Sequence, residues 1–386
     1  MLKLDPKTVN ARISATVDKD LTDCKYSGIA IRVLQHGETV AEAVKGFADI
    51  DTGRPVDGNT LFRLASMTKP VTAAAVLKAQ EQGLLNLGDS VRYYLPDFEE
   101  KYIAKKVTAE DGSVSFVRGE KAKTTLRIHH MLSHVNGFGS NEYGYQFIGG
   151  MAGTEHMRDL ESFVDYTGKN MMLDFEPDTA WGYSAHAAFD VCGRIVELVS
   201  EMPFNEYIQK NLFDPIGISD ITFTPTEEQW SRIMRMHNRT DGKNISDDSL
   251  GHTTFERYPI TFFCGGAGLC GTLDSYTKFA EMLRNDGTID GVKVLAPGSV
   301  DAMRSVWPLN DIGPSPFESW GLGVRVIKKN HPWLPEGVFG WSGAYGTHFW
   351  IDPANGITAV MMRNSRVDGG AGSVSSIELE KNVYEN

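Results

Sequence analysis

Leu61-Phe-Arg-Leu-Ala-Ser66-Met-Thr-Lys69, running on into Pro70-Val-Thr-Ala-Ala-Ala-Val-Leu77, is the stretch that decides how this 386-residue chain is read. Apolar residues dominate from Leu64 to Gln82 and Gly83 closes the run, which predicts a helix over 64–82. A helix apolar nearly all round is buried. Ser66 and Lys69 stand three apart and so share one face, at a helix start where N–H groups are unpaired and the dipole is positive. Pro70 is tolerated in the first turns. A hydroxyl with an amine beside it, in a place that favours negative charge, is the arrangement of a serine nucleophile with a built-in base. The tetrapeptide alone does not decide the matter, because Ser275-Tyr-Thr-Lys278 matches equally well. That second copy lies in an amphipathic stretch over 273–283, where Lys278 is expected to be a solvated surface lysine.

The rest of the composition narrows the field. The 50 acidic against 38 basic residues give a net charge of −12, which argues against nucleic acid or an anionic membrane as the main partner. The N-terminus lacks the apolar core of a signal peptide and no run reaches transmembrane length, so a cytoplasmic protein is expected. Cys24, Cys192, Cys264 and Cys270 are too scattered for a disulfide framework and form no Cys-x-x-Cys knuckle. Buried free thiols are expected, with Cys270, in the glycine-rich 264–271, as the one that best fits a pocket wall.

An opening helix is expected over 7–22, then strands over 28–34 and 39–47. Helices follow over 126–133, 159–169, 184–200 and 204–212, with polar loops over 104–124 and 237–258. Strands return over 324–328, 338–340, 348–351 and 357–362. The simplest assembly is an α+β fold in which the first and last segments share one antiparallel sheet flanked by helices. Residues 1–83 and 260–386 would then form one discontinuous domain, 84–259 an inserted, mostly helical one, with the active site at their interface.

Two further stretches carry chemistry. Glu176-Pro-Asp-Thr-Ala-Trp-Gly-Tyr183-Ser-Ala185 puts a tyrosine in a turn before an apolar helix, and Gly340-Trp-Ser-Gly-Ala-Tyr-Gly-Thr347 is a glycine-spaced strand to whose edge a substrate can lie close. With Glu81-Gln-Gly-Leu-Leu-Asn-Leu-Gly-Asp89 and Thr125-Leu-Arg-Ile-His-His-Met-Leu-Ser-His-Val-Asn-Gly137 lying between the Ser66 stretch and Glu176, these phrases occur in the order found in the penicillin-recognising serine hydrolases. The chain resembles that superfamily of class C β-lactamases, D,D-peptidases and family VIII carboxylesterases along nearly its whole length. The resemblance implies the β-lactamase/D,D-peptidase-like fold, Ser66 as nucleophile, Lys69 and Tyr183 as the base pair, and the N–H groups of Ser66 and Ala344 as the oxyanion hole. It implies no cofactor and no metal. Trp341, Ser342, Gly343 and Tyr345 would line the substrate, and Phe138, with Tyr143, Tyr145 and Phe147, suggests an apolar wall. A tyrosine ordinarily loses its proton near pH 10, so such a residue serves as base only beside a cation and away from water.

The departures from the pattern are as informative. The third motif, Lys-Thr-Gly or His-Thr-Gly in β-lactamases and peptidases, is Trp341-Ser-Gly343 here, and the second, Tyr-x-Asn, is Tyr183-Ser-Ala185. Losing the cation should weaken an anionic subsite and favour neutral acyl groups, unless Arg363 or Arg366 replaces it. The expected activity is hydrolysis of short-chain carboxylic esters, a small-molecule substrate. The competing activities are β-lactam or D-amino-acid amide hydrolysis and acyl transfer, with loops 138–158 and 237–258 deciding among them. A Ser-His-Asp hydrolase lacks its Gly-x-Ser-x-Gly elbow, and a metal site at His130 and His134 lacks a clear third ligand. A non-catalytic sensor is disfavoured by the presence of Ser66, Lys69 and Tyr183 together. His186 and His348 are each placed to line the pocket.

Overall fold

The computed structural model describes residues 2–247, 260–308 and 312–385. Its frame is an antiparallel sheet of eight strands: β1 (Gly28–Gln35), β2 (Glu38–Asp49), β3 (Arg54–Pro55), β4 (Glu318–Trp320), β5 (Arg325–Ile327), β6 (Phe339–Ser342), β7 (His348–Asp352) and β8 (Ile357–Met362). They lie in the order β4-β5-β6-β7-β8-β1-β2-β3, so β8 and β1 join the two ends of the chain, with Ala30 opposite Met362 and Gln35 opposite Ile357. Both central strands are buried on both faces, which is why they read as near-continuous apolar runs.

The two faces carry different helices. Ile29, Ile31 and Val33 of β1 and Ala359 and Met361 of β8 pack with Val9, Ile13 and Val17 of α1 (Pro6–Thr22) and Leu379 of a C-terminal helix, Val374–Tyr384. Ala30, Val360 and Met362 face the other way, into a larger core. That core holds α2 (Thr68–Glu81), α3 (Ala187–Ser200) and α4 (Leu273–Arg284); the C-terminal helix is α5. Six residues before α2, the chain enters the core through a short sheet in which Phe62–Arg63 pairs with Cys270–Gly271. The helix α4 is amphipathic as expected, and Lys278 is about a third exposed and paired with Asp290 at 3.1 Å. Among the described residues no helix is long and apolar enough to cross a membrane.

Several expectations need correction. The helix over 64–82 is two pieces, a 3-10 turn over Ala65–Met67 and then α2, because Ala65 is left-handed with φ of 47°. The stretch 104–124 is not a loop but a hairpin, Tyr102–Thr108 with Val114–Lys121. Its β-branched residues Ile103, Val107, Thr108, Val114 and Val117 suit a strand and outweigh the lysines between them. His237–Thr240 and Lys243–Ser246 form another hairpin around Asp241-Gly242, both at positive φ as a two-residue hairpin turn requires. The rest of the expected 237–258 loop lies outside the described residues. Within 138–158 there is a helix, Glu142–Gly149.

Candidate active site

Ser66 sits in the one-turn 3-10 piece directly after the left-handed Ala65, a conformation that costs a non-glycine residue about 1–2 kcal/mol. Its surroundings hold it there: Leu64 N donates to Leu269 O at 2.9 Å, and Leu269 N donates to Thr68 Oγ1 at 3.1 Å. One turn on, Lys69 is fully buried, and its Nζ donates to Ser66 Oγ at 3.2 Å, Ala185 O at 2.7 Å and Gly266 O at 2.8 Å. All three ammonium hydrogens are thus directed. Gly266 N in turn donates to Asp190, whose fully buried carboxyl is pushed up to about 7 by desolvation, against the pull of the Cys264 thiol and Lys69.

Tyr183 reaches this lysine from a loop that His134 grips at both ends. His134 ends the helix Ile128–Ser133 in a left-handed conformation; its carbonyl accepts from Gly182 N at 2.9 Å and its Nδ1 accepts from Ser184 N at 3.0 Å. The imidazole lies 4.5 Å from the Tyr183 ring, between centroids. Burial, helped by the charge of Lys69, holds the His134 pKa well below its usual value, so Nδ1 is free to accept and Nε2 carries the proton. Lys69 Nζ stands 5.0 Å from the Tyr183 ring centroid. The Tyr183 hydroxyl accepts from Trp341 Nε1 at 2.9 Å, and Trp341 packs edge-on against the buried Trp320.

The third stretch is anchored on both sides. Side chains alternate along β6, so Trp341 faces Tyr183 while Ser342 faces away: its Oγ meets His348 Nδ1 at 2.8 Å, and His348 Nε2 meets Glu380 of α5 at 3.1 Å. Arg325 and Trp333 also donate to Glu380, at 2.6 and 2.8 Å. Burial would raise this carboxyl, but Arg325 and His348 bring it down to about 2. Beyond Ser342 the strand runs onto the serine turn. Gly343 N donates to Thr347 O at 2.7 Å, Thr347 Oγ1 donates to Leu64 O at 2.9 Å, and a Cβ on Gly343 would stand 2.2 Å from Leu64 O. In the turns and loops described, neither Ser66 N nor Ala344 N has a backbone acceptor.

These pieces surround a cavity of about 470 Å³ whose lining includes Ser66, Tyr183, Ala344 and Tyr345 of the expected residues. Lys69 is joined to it through Ser66 and Trp341 through Tyr183. Phe138 is not part of it: the ring is fully buried, 5.1 Å from Phe98, and only its backbone carbonyl serves the site, by accepting from Ser184 Oγ at 2.8 Å. Of the four loop aromatics, Tyr145 lines the cavity, whereas Tyr143 and Phe147 pack on each other. Cys264, not Cys270, is the cysteine in the wall, and His186, not His348, is the histidine. Arg363 is fully buried and committed to Asp368 at 3.0 Å, Ser373 and Gly346 O, and Arg366 lies 3.6 Å from Asp247. Arg363 is thus not the replacement cation, whereas the charge of Arg366 acts on Tyr345 in the cavity wall. His130 pairs with Asp178 at 2.9 Å, apart from His134, and among the described residues no three His, Cys, Asp or Glu side chains gather to hold a metal ion. The residues missed in the sequence are His134, as the grip on Tyr183, and Ile148, Ala152, Met157, Phe163 and Phe262 in the cavity wall.

Known proteins resemble this chain in sequence and in fold. The Beta-lactamase family profile matches residues 13–375. Esterase EstB of Burkholderia gladioli is 28% identical over 410 residues, covering 99% of this chain and 96% of its own. Protein Rv1367c of Mycobacterium tuberculosis is 30% identical over 348 residues, covering 85% and 83%. Among solved structures, EstCE1, described as a hydrolase with promiscuous acyltransferase activity, superposes with a TM-score of 0.79 at 23% identity over 98% of this chain and 99% of its own. A family VIII carboxylesterase does so at 0.72 and 19%, with 97% of each chain covered. At those identities the structural likeness speaks for the fold. The family profile spans nearly the whole chain and every part of the cavity described above, and on that ground the chain belongs to the beta-lactamase family of serine hydrolases.

Proposed function

We propose that the protein is a carboxylesterase that cleaves esters of uncharged acyl groups through an acyl-enzyme on Ser66. The observation that carries this reading is the hydrogen bond from Lys69 Nζ to Ser66 Oγ at 3.2 Å, in a cavity shared with Tyr183. Ser66 Oγ bonds to the acyl carbon, its proton passes to the Lys69–Tyr183 pair, and the carbonyl oxygen becomes an oxyanion facing Ser66 N–H and Ala344 N–H. The bond to the alcohol oxygen then breaks and that oxygen takes the proton from the pair. Water adds to the acyl carbon by the same route in reverse, releasing the carboxylic acid and returning the proton to Ser66. The role of base is assigned to the pair and not to one member, with Lys69 Nζ 5.0 Å from the Tyr183 ring centroid. Each oxyanion donor contributes about 3 kcal/mol to lowering the barrier.

The choice of ester over lactam rests on Trp341. An indole N–H occupies the position from which relatives of the family present a cation, and it is spent on the Tyr183 hydroxyl. Arg363 is spent on Asp368. Neither Trp341 nor Arg363 therefore offers an anionic substrate a positive charge. That Esterase EstB is a full-length relative supports the same reading.

The test is hydrolysis of p-nitrophenyl butyrate beside a chromogenic cephalosporin, with circular dichroism to confirm folding of each variant. Ser66→Ala is expected to abolish turnover, and Tyr183→Phe to lower kcat about a thousandfold, within the usual range for losing a general base. Retained ester turnover in Ser66→Ala, or lactam turnover exceeding ester turnover in the unmodified protein, overturns the proposal.

A further inference from the structure

The sequence favours a neutral acyl group, through Trp341, but says nothing firm about its size; the cavity does. Its wall is built from Ile148, Ala152, Met157, Phe163, Phe262 and Ala267, with Phe163 and Phe262 packed 5.3 Å apart. No lysine or arginine is among the described residues of the lining. The one carboxylate there, Asp190, is fully buried and turned to Gly266 N and the Cys264 thiol, so it presents no exposed charge to a ligand. At the ~30 Å³ that a water-sized group fills, eight carbon atoms occupy about half of this space. An acetyl group leaves nearly all of it to water against apolar walls.

Ser66, Tyr183 and Ala344 all border the cavity, so the group that stays on Ser66 remains within its reach after the alcohol has gone. We propose that this cavity is an acyl site for uncharged, unfunctionalised chains of about six to eight carbons, with the segments 148–163 and 262–267 setting their length. The proposal rests on the ester-hydrolase reading and replaces the short-chain expectation.

The experiment is a series of p-nitrophenyl acetate, butyrate, hexanoate and octanoate, with p-nitrophenyl hemisuccinate as the anionic acyl group, run on the unmodified protein and on Gly149→Trp. Gly149 lines the cavity, is exposed, and a Cβ added there meets nothing within 4 Å, so the substitution fills space without disturbing the core. Labelling of Ser66 by a fluorophosphonate is followed in parallel. In the unmodified protein kcat/KM is expected to rise from acetate to hexanoate by up to about fourfold per methylene, with hemisuccinate at least tenfold below butyrate. In Gly149→Trp the octanoate-to-acetate ratio should fall at least tenfold, and rapid-quench measurement should show that deacylation of the octanoyl-enzyme, formed after the alcohol has gone, changes too.

A series that is flat or falls beyond butyrate while Ser66 labels normally overturns the acyl site and leaves the esterase standing. So does a Gly149→Trp variant that slows p-nitrophenol release from all four esters equally, since that assigns the cavity to the leaving group. Absence of both ester turnover and Ser66 labelling is a different result: it removes the esterase reading and this inference with it.

Discussion

Tyr183 owes its position to His134, which holds the residue before it by a carbonyl and the residue after it by an imidazole nitrogen. Removing the ring leaves Ser184 N without its buried acceptor and opens space against the Tyr183 ring. His134→Ala is therefore expected to lower kcat at least tenfold with a smaller change in KM, and His134→Asn, which offers an amide oxygen to Ser184 N, to recover part of the loss. Equal loss in both variants, or a change confined to KM, would show that the grip does not serve the tyrosine. This role was not legible in the sequence. His134 and Gly182 are far apart along the chain, and a histidine after a helix looks the same whether it binds a metal, fills the core or holds a loop. Ser66, Lys69 and Tyr183 were legible because each sits in a phrase with local meaning: a helix start, a three-residue spacing, a turn before an apolar run. Phe138 shows the converse, since an aromatic residue in a glycine-rich loop suits a pocket wall and a core equally, and only the Phe98 ring opposite it settles which.

At the scale of elements, β6 is aimed by what lies behind it. Ser342, His348 and Glu380 form a buried hydrogen-bonded line from the strand to α5, with Arg325 closing it. Glu380→Ala leaves the Arg325 guanidinium buried beside one remaining carboxylate, Glu318. Breaking a buried pair in this way costs about 3–5 kcal/mol, which should appear as a lower urea midpoint. Because Trp341 and Ala344 belong to the same segment, kcat should fall as well, and an unchanged kcat in the folded fraction would separate this line from the site. Six of the eight strands were legible in outline from apolar runs and turn residues. Their short partners β3 and β4, two and three residues long, carry too little pattern to be read. The hairpin over 102–121 was missed because lysines and a glycine break its alternation.

For the molecule as a whole, acid should loosen the fold before it protonates the buried acidic pairs. Burial lowers the pKa of His129 and His130 to about 4, and also lowers those of His134, His237 and His348. In the unfolded chain these groups take up protons near pH 6.5, so below that the unfolded state binds more protons and stability falls as the pH falls. Each such group adds a slope of at most about 1.4 kcal/mol per pH unit. Asp190, pushed up to about 7, opposes this slope because its folded form takes up a proton first. Glu380, held near 2 when folded, adds to the slope only as the unfolded carboxyl begins to protonate toward pH 5. Urea midpoints at pH 7.5 and 5.0 should therefore differ clearly, with the lower value at pH 5.0; equal midpoints would mean that these imidazoles are not held neutral.

The pairing of β1 with β8 has a consequence for how the protein comes into being. Ser66 and Ala344 are separated by 278 positions, and Ala30 meets Met362 only when almost the entire chain is available. Contacts so distant in sequence make for slow folding. At roughly 5–20 residues per second of synthesis, the serine leaves the ribosome on the order of 14–56 s before Ala344, its proposed oxyanion partner. Until then it is an ordinary hydroxyl on a nascent helix, unable to acylate itself on passing esters, and any product truncated before β8 is inert: the topology makes completion of the polypeptide a condition for reactivity.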